Sequence, residues 1–205
     1  MAEITLPRPG AMHSPAVKHF LALLAIAVAA SAFVALCAHA SIPLLFTPVP
    51  LSLAPFAVLL VGLLLGPRMA FASLGLYLLE GAAGLPVFSP QGPGGILQLL
   101  GPTGGYLLSY PFAAALAGFL YGRGPRSIPR GMISAGAASV VILVAGASWL
   151  KLLTHMDTRL ILAQAIVPFL PGDVLKVGAA ASAAKFAGAR LPRRNDRSLS
   201  HNERL

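Results

Sequence analysis

The sequence predicts an all-α integral membrane protein, a six-transmembrane-helix bundle with both termini in the cytoplasm. Three observations carry that expectation. Apolar residues fall in runs near twenty long, and a helix rising about 1.5 Å per residue then crosses a hydrocarbon core of about 30 Å. Of the 205 residues, 57% are hydrophobic and only 10% charged, against about 25% charged in a soluble domain. The basic residues sit at the ends of the apolar runs, and mostly on one side of the membrane those runs define.

Taken in order, residues 1–17 are polar, contain three prolines, and read as a flexible cytoplasmic tail. The first span is expected at 19–38. Ala38-His39-Ala40 resembles a signal-peptidase site, but the apolar run exceeds the roughly 7–15 residues of a signal core, so the span is read as retained. Ala25 with Ala29, and Ala27 with Ser31 and Ala35, place small residues four apart, a spacing that lets membrane helices approach closely. Simple alanine richness produces the same spacing. Ile42 to Pro50 carries three prolines and cannot be a span.

The second span, 51–66, stops at Gly66-Pro67-Arg68. The third, 69–85, carries one acidic residue, Glu80. Pro86 to Gly101 is an uncharged Gly/Pro-rich loop that leads through Thr103-Gly104-Gly105-Tyr106 into the fourth span, 105–122. Arg123 to Arg130 forms a basic turn before the fifth span, 131–153, where Trp149 sits at the level of interfacial aromatics. Between Thr154 and Phe169 a short amphipathic or surface helix is expected over LILAQAIV. The sixth span, 172–190, is built from Gly, Ala and Ser, a composition suited to the inside of a bundle. The membrane domain is thus 18–190, followed by a basic cytoplasmic tail at 191–205.

Orientation follows from the cations. With six spans, twelve of the 15 Lys and Arg residues fall on one side, Arg8, Lys18, Arg68, Arg123, Arg126 and Arg130 among them. Lys151 and Arg159 fall on the other, and Lys176 lies within a span. The positive-inside rule places the first side, with both termini, in the cytoplasm. The net charge of +9 is therefore accounted for by topology. No basic stripe interleaved with aromatics points to nucleic acid.

One stretch, Pro168 to Lys176 (PFLPGDVLK), concentrates the chemistry. Asp173 and Lys176 stand three apart on one helical face, so they can pair or converge on a ligand. Pro171 and Gly172 suit the entry of that helix, whose dipole favours an ionised Asp173 in its first turn. Lys176, one turn deeper, is costly in lipid and marks a substrate path or a structural ion pair. In the predicted topology Glu80, the 86–101 loop, Thr103 to Tyr106 and this pair share the extracytoplasmic end, as a pocket open to the outside requires. Gly104 and Gly105 either admit close backbone approach to a ligand or serve the helix entry. Tyr106 is a pocket or an interface aromatic, and Glu80 a ligand contact, a partner for Lys176 or a turn cap. No metal-ligand spacing, phosphate loop or nucleophile–base pair is present, which excludes a metal site, ATP hydrolysis by this chain and catalysis.

The ordered motifs FTPVP (Phe46 to Pro50), GLLLGPR (Gly62 to Arg68), YLLEGAAGLPVF (Tyr77 to Phe88), LLGPTGGYLL (Leu99 to Leu108) and PFLPGDVLK closely resemble the BioY family. These are the biotin-binding S components of energy-coupling-factor (ECF) transporters. The resemblance spans about Ile42 to Ala184. It implies a six-helix bundle in the cell (inner) membrane that binds biotin near its extracytoplasmic face. It also implies partners: a transmembrane coupling protein and two ATPase subunits that use the ATP, so that this chain needs no cofactor. Some family members are found without them.

By position the family's Asp-x-x-Lys motif falls on Asp173 and Lys176 and its Gly-Gly-Tyr motif on Gly104, Gly105 and Tyr106; the candidate biotin site adds Thr103 and Glu80 from the shared extracytoplasmic end, and Phe88, Leu85 and Tyr106 can pack the ring. An aspartate can accept ureido N–H groups, and a lysine can neutralise a carboxylate or donate to a carbonyl. The face carrying Ala25 and Ala29 resembles the family's docking surface for the coupling protein. After the PVP motif the family often has Thr-Leu-Gln, where this chain has Ser52-Leu53-Ala54, which puts any contact by that glutamine in doubt. Two alternatives stand beside this reading: an S component for another small vitamin, and a non-transport structural membrane protein.

Overall fold

The computed structural model describes residues 15–190, and within them the chain forms eight helices and one two-stranded ribbon. The expected tail at 191–205, and residues 1–14 of the other, lie outside the described residues. The first helix, α1 (Pro15–His39), begins with Pro15 and so takes in residues 15–17, which were expected in the tail. Proline presets the first-turn φ and lacks only an N–H that would be unpaired there.

The proline-rich stretch after α1 is not a helix. It opens with β1 (Ser41–Ile42) and closes with β2 (Leu51–Ser52), paired antiparallel with Ser41 opposite Ser52. The second helix is therefore shorter than expected: α2 runs over Ala54–Leu65, with Pro55 in its first turn. Gly66 at φ 76° breaks the chain as the Gly-Pro-Arg signal required, and α3 (Pro67–Ala82) starts on Pro67. The 86–101 loop is not wholly irregular, since α4 (Gly95–Leu100) lies within it.

Then follow α5 (Gly104–Gly122) and α6 (Ile128–Thr154). Ser127 caps α6 by accepting from the Arg130 amide at 3.4 Å. α6 ends at His155 in the left-handed region, φ 53°. The expected surface helix is α7 (Thr158–Ala165), capped by Asp157, which accepts from the Arg159 amide at 3.0 Å. It meets α8 (Leu170–Arg190) at a bend of 47°.

The helix α5 is the centre of the bundle, packed against α2, α3 and α6. In turn α8 lies on α2 and α6, while α1 covers α2 and α3. Where α2 meets α5 the backbones nearly touch: a Cβ added at Gly62 would stand 2.5 Å from the Ala114 carbonyl oxygen, and one at Gly118 2.6 Å from that of Gly62. Small residues permit this approach, and in lipid dispersion contact between helices replaces the hydrophobic effect as the packing force.

By length and apolarity Ala16–His39 and Ile128–Thr154 each suffice to cross a membrane, and the bent α7–α8 pair makes a third candidate. The α2 helix is apolar but only 12 residues long.

Candidate functional site

The α8 helix starts where α7 stops short, and the turn through Pro168 and Phe169 aims its first turn at α6. The Asp173 amide donates to the Phe169 carbonyl at 2.8 Å, which fixes that turn. Asp173 is thereby held against α6 and is 7% exposed. Both of its oxygens are engaged: Ser139 Oγ donates to Oδ2 at 2.8 Å, and Lys176 Nζ donates to Oδ1 at 3.1 Å. This is the one ion pair among the described residues, and the Lys176 side chain is 11% exposed. The i, i+3 spacing legible in the sequence brings the charges together. The Ser139 partner was not anticipated, and its only signal was a hydroxyl in a largely apolar span, one it shares with Ser134 and Ser148.

The pair stands in the wall of a cleft of about 620 Å³, part of it open to solvent. Tyr106, Tyr110, Tyr77 and Phe169 supply aromatic surface, with Leu107 and Ile142 between them. The Tyr77 and Tyr110 rings stack at 6.4 Å. Tyr106 donates its hydroxyl to the Ala165 carbonyl at 2.8 Å, so its ring stands fixed between α5 and the end of α7. Thr103 lines the cleft on the same side. Val49 and Pro50 from the turn between the strands, Ser52 from β2, and Ser89 and Gln98 from the loop also line it.

Ser41 Oγ and Ser89 Oγ, 2.8 Å apart, tie the ribbon to the loop. Gln98, 2% exposed, folds the loop on itself. Its Nε2 donates to the Ser89 carbonyl at 3.2 Å, and its Oε1 accepts from the Gly94 amide at 3.1 Å. Gln98, Tyr77 and Tyr110 were not anticipated from the sequence. Both tyrosines lie within largely apolar helices, where a polar tip favours the bundle interior over lipid, and that was their one signal.

Four expected site residues therefore converge: Asp173, Lys176, Thr103 and Tyr106. The others do not. Gly104 abuts the Leu99 carbonyl and Gly105 the Trp149 side chain and the Ala145 carbonyl, so their missing Cβ atoms admit α4 and α6 rather than a ligand. Phe88 packs edge-on against Tyr77 at 5.3 Å, supporting the cleft wall without lining it. Glu80 neither pairs with Lys176 nor reaches the cleft. It accepts from Ser31 Oγ on α1, beside a separate groove on the side of the bundle that also contains Leu85.

A cleft of this make-up has one acceptor and one cationic donor fixed side by side in aromatic surroundings. It suits a small ligand with adjacent N–H and carbonyl or carboxylate groups on an apolar body. The BioY family model matches residues 12–193. The chain belongs to the BioY family. One similar protein, the probable biotin transporter BioY of Pyrococcus horikoshii, is 40% identical over 133 residues, covering 65% of this chain and 76% of its own. Another, the biotin transporter BioY of Thermotoga maritima, is 35% identical over 151 residues, 74% of this chain and 86% of its own. The crystal structure of the S-component for biotin from an ECF-type ABC transporter matches with a TM-score of 0.76 and 26% identity, over 85% of this chain and 94% of that one. Membership of BioY makes this an integral membrane protein of a transporter family.

Proposed function

We propose that this chain is the biotin-binding S component of an ECF transporter, taking up biotin through the cleft beneath the ribbon and the 86–101 loop. The observation that carries the reading is the Asp173–Lys176 pair, set in an aromatic cleft and joined to membership of BioY. In this reading Asp173 accepts N–H groups of the ureido ring, Lys176 meets an oxygen of the ligand, and Tyr77, Tyr106, Tyr110 and Phe169 enclose its apolar body. ATP is spent by partner subunits that join through a transmembrane coupling protein, docking against α1 near Ala25 and Ala29, both of which are exposed.

The test is thermal stability of the purified chain titrated with biotin and, separately, with other vitamins. A ligand that binds only the folded state adds about 2.7 kcal/mol at a hundred times its Kd. Biotin should raise the melting temperature and thiamine and riboflavin should not. Stabilisation by one of the other vitamins alone would move the substrate assignment, and none at all would remove it.

The same proposal includes six spans with both termini in the cytoplasm of the inner membrane, placing the cleft mouth outside. The supporting observation is that Arg68, Arg123, Arg126 and Arg130 gather at two helix–helix connections, as the positive-inside rule demands. With Cys37→Ala as background, Ser127→Cys should resist an impermeant thiol reagent in intact cells and react after permeabilisation. Labelling from outside would invert the topology and turn the cleft inward.

A further inference from the structure

We infer that Tyr77 is a ligand-binding residue of the cleft: its hydroxyl donates a hydrogen bond to an oxygen of the bound ligand, beyond the aromatic surface that its ring provides. This rests on the S-component reading above and adds a contact that selects the ligand. Among the described residues two buried side-chain hydroxyls have no hydrogen-bond partner, those of Tyr77 and Tyr121. Tyr77 is fully buried and yet lines the cleft. Tyr121 does not line it, and stands eleven residues beyond Tyr110, about 16 Å further along α5.

A buried hydroxyl without a partner is costly, and a native structure that keeps one calls for an explanation. Several polar side chains of α3 and the cleft are committed elsewhere. Ser73, one turn before Tyr77 on α3, donates to the Met69 carbonyl at 2.9 Å. Tyr106 donates to Ala165 and Ser139 to Asp173, and both polar ends of Gln98 hold the loop. The Tyr77 hydroxyl cannot turn away to solvent or lipid, because its ring is stacked on Tyr110 at 6.4 Å and meets Phe88 edge-on at 5.3 Å. What enters the cleft is left to satisfy it. The chemistry of the cleft sets the direction of the bond. A carboxylate accepts N–H groups better than a phenol does, so the ureido N–H groups go to Asp173. The phenol then donates, and the acceptors in biotin are the oxygens of its ureido carbonyl and its carboxylate. Tyr77 stands on α3 and Asp173 on α8, two helices that do not pack extensively on one another. A ligand held by both residues therefore joins two walls of the cleft.

The experiment uses the purified full chain and takes two readouts in parallel: biotin affinity by calorimetric titration, and the melting temperature without ligand. Tyr77→Phe removes the hydroxyl and keeps the ring. Biotin affinity should fall about tenfold, the scale of one lost hydrogen bond. The ligand-free melting temperature should stay level or rise, because a buried unpaired donor is gone. Tyr121→Phe removes the same atom outside the cleft. Its melting temperature should behave likewise, and its biotin affinity should equal that of the wild type. Desthiobiotin lacks the sulfur but keeps both the ureido carbonyl and the carboxylate, so Tyr77→Phe should weaken its binding by the same factor.

Wild-type biotin affinity in Tyr77→Phe overturns the proposal. A lowered melting temperature or failure to fold would make the hydroxyl a tie within the chain's own fold and overturn it as well, as would an equal loss of affinity in Tyr121→Phe. A loss seen with biotin and absent with desthiobiotin would assign the hydroxyl to the sulfur and overturn the contact with oxygen. Failure of the wild-type chain to bind biotin is read in its own arm and concerns the S-component reading instead.

Discussion

Asp173→Asn is expected to weaken biotin binding by about ten- to a hundredfold, since a charge-assisted hydrogen bond is worth roughly 1.5–3 kcal/mol. The substitution keeps shape and can still accept from Ser139, but it turns an amide towards Lys176, where the carboxylate now accepts at 3.1 Å. Two donors then face each other and the ammonium loses its counter-ion.

Lys176→Met separates the roles further. If lysine meets the ligand, the loss of affinity should be comparable; if it only neutralises Asp173, the loss should be much smaller. A purely structural pair makes a different forecast. Either single change would then lower the melting temperature strongly, and the double change would recover much of it, because a lone charge is worse than none. Biotin affinity and apo melting temperature, measured for both singles and the double, distinguish these outcomes. Unchanged affinity in a folded Asp173→Asn protein would remove the pair from the site.

How much of this was legible differs by residue. The helices α1 and α6 were readable because an apolar run of membrane length leaves little choice but a helix, and α3, α5 and α8 because Gly, Pro and Arg signals bound their apolar runs. Their ends shifted where proline at a first turn extends a helix, as at Pro15 in α1 and Pro67 in α3. The ribbon over Ser41–Ile42 and Leu51–Ser52 was not readable. Two-residue strands have no periodicity, and the intervening prolines announce only that no helix forms.

At the site, Asp173 and Lys176 were legible because their pairing is local, three residues apart on one helix. Interactions that cross the bundle were not. Ser139 meets Asp173 across 34 positions and Tyr106 reaches Ala165 across 59, and nothing local encodes either. Gly104 and Gly105 show the converse ambiguity. A glycine pair beside a candidate pocket reads equally as ligand approach or helix approach, and only the position of Leu99 and Trp149 decides for the second.

Tyr106 gives the second large effect, through a residue that never touches the cleft. Its ring rests on α6 at Gly146, where an added Cβ would fall inside the contact distance of ring atoms Cδ1, Cε1 and Cζ. The ring cannot swing away freely, because its hydroxyl is held by the Ala165 carbonyl at 2.8 Å and its other side faces Phe169 with centroids 6.4 Å apart. Gly146→Val must therefore push the ring towards the cleft or part α5 from α6. Overpacking of this kind costs about 1–3 kcal/mol of stability, and in the first case the intruding ring also closes the space that a ligand needs. Biotin binding should fall by about tenfold or more, with a lowered apo melting temperature; each 1.4 kcal/mol of binding energy removed is about a factor of ten. Gly146→Val combined with Tyr106→Ala tests the cause, since it removes the ring that collides. Melting temperature should recover towards that of Tyr106→Ala alone, while affinity should stay low because the aromatic wall is gone. Normal biotin affinity in Gly146→Val would show that the Tyr106 ring does not bound the substrate.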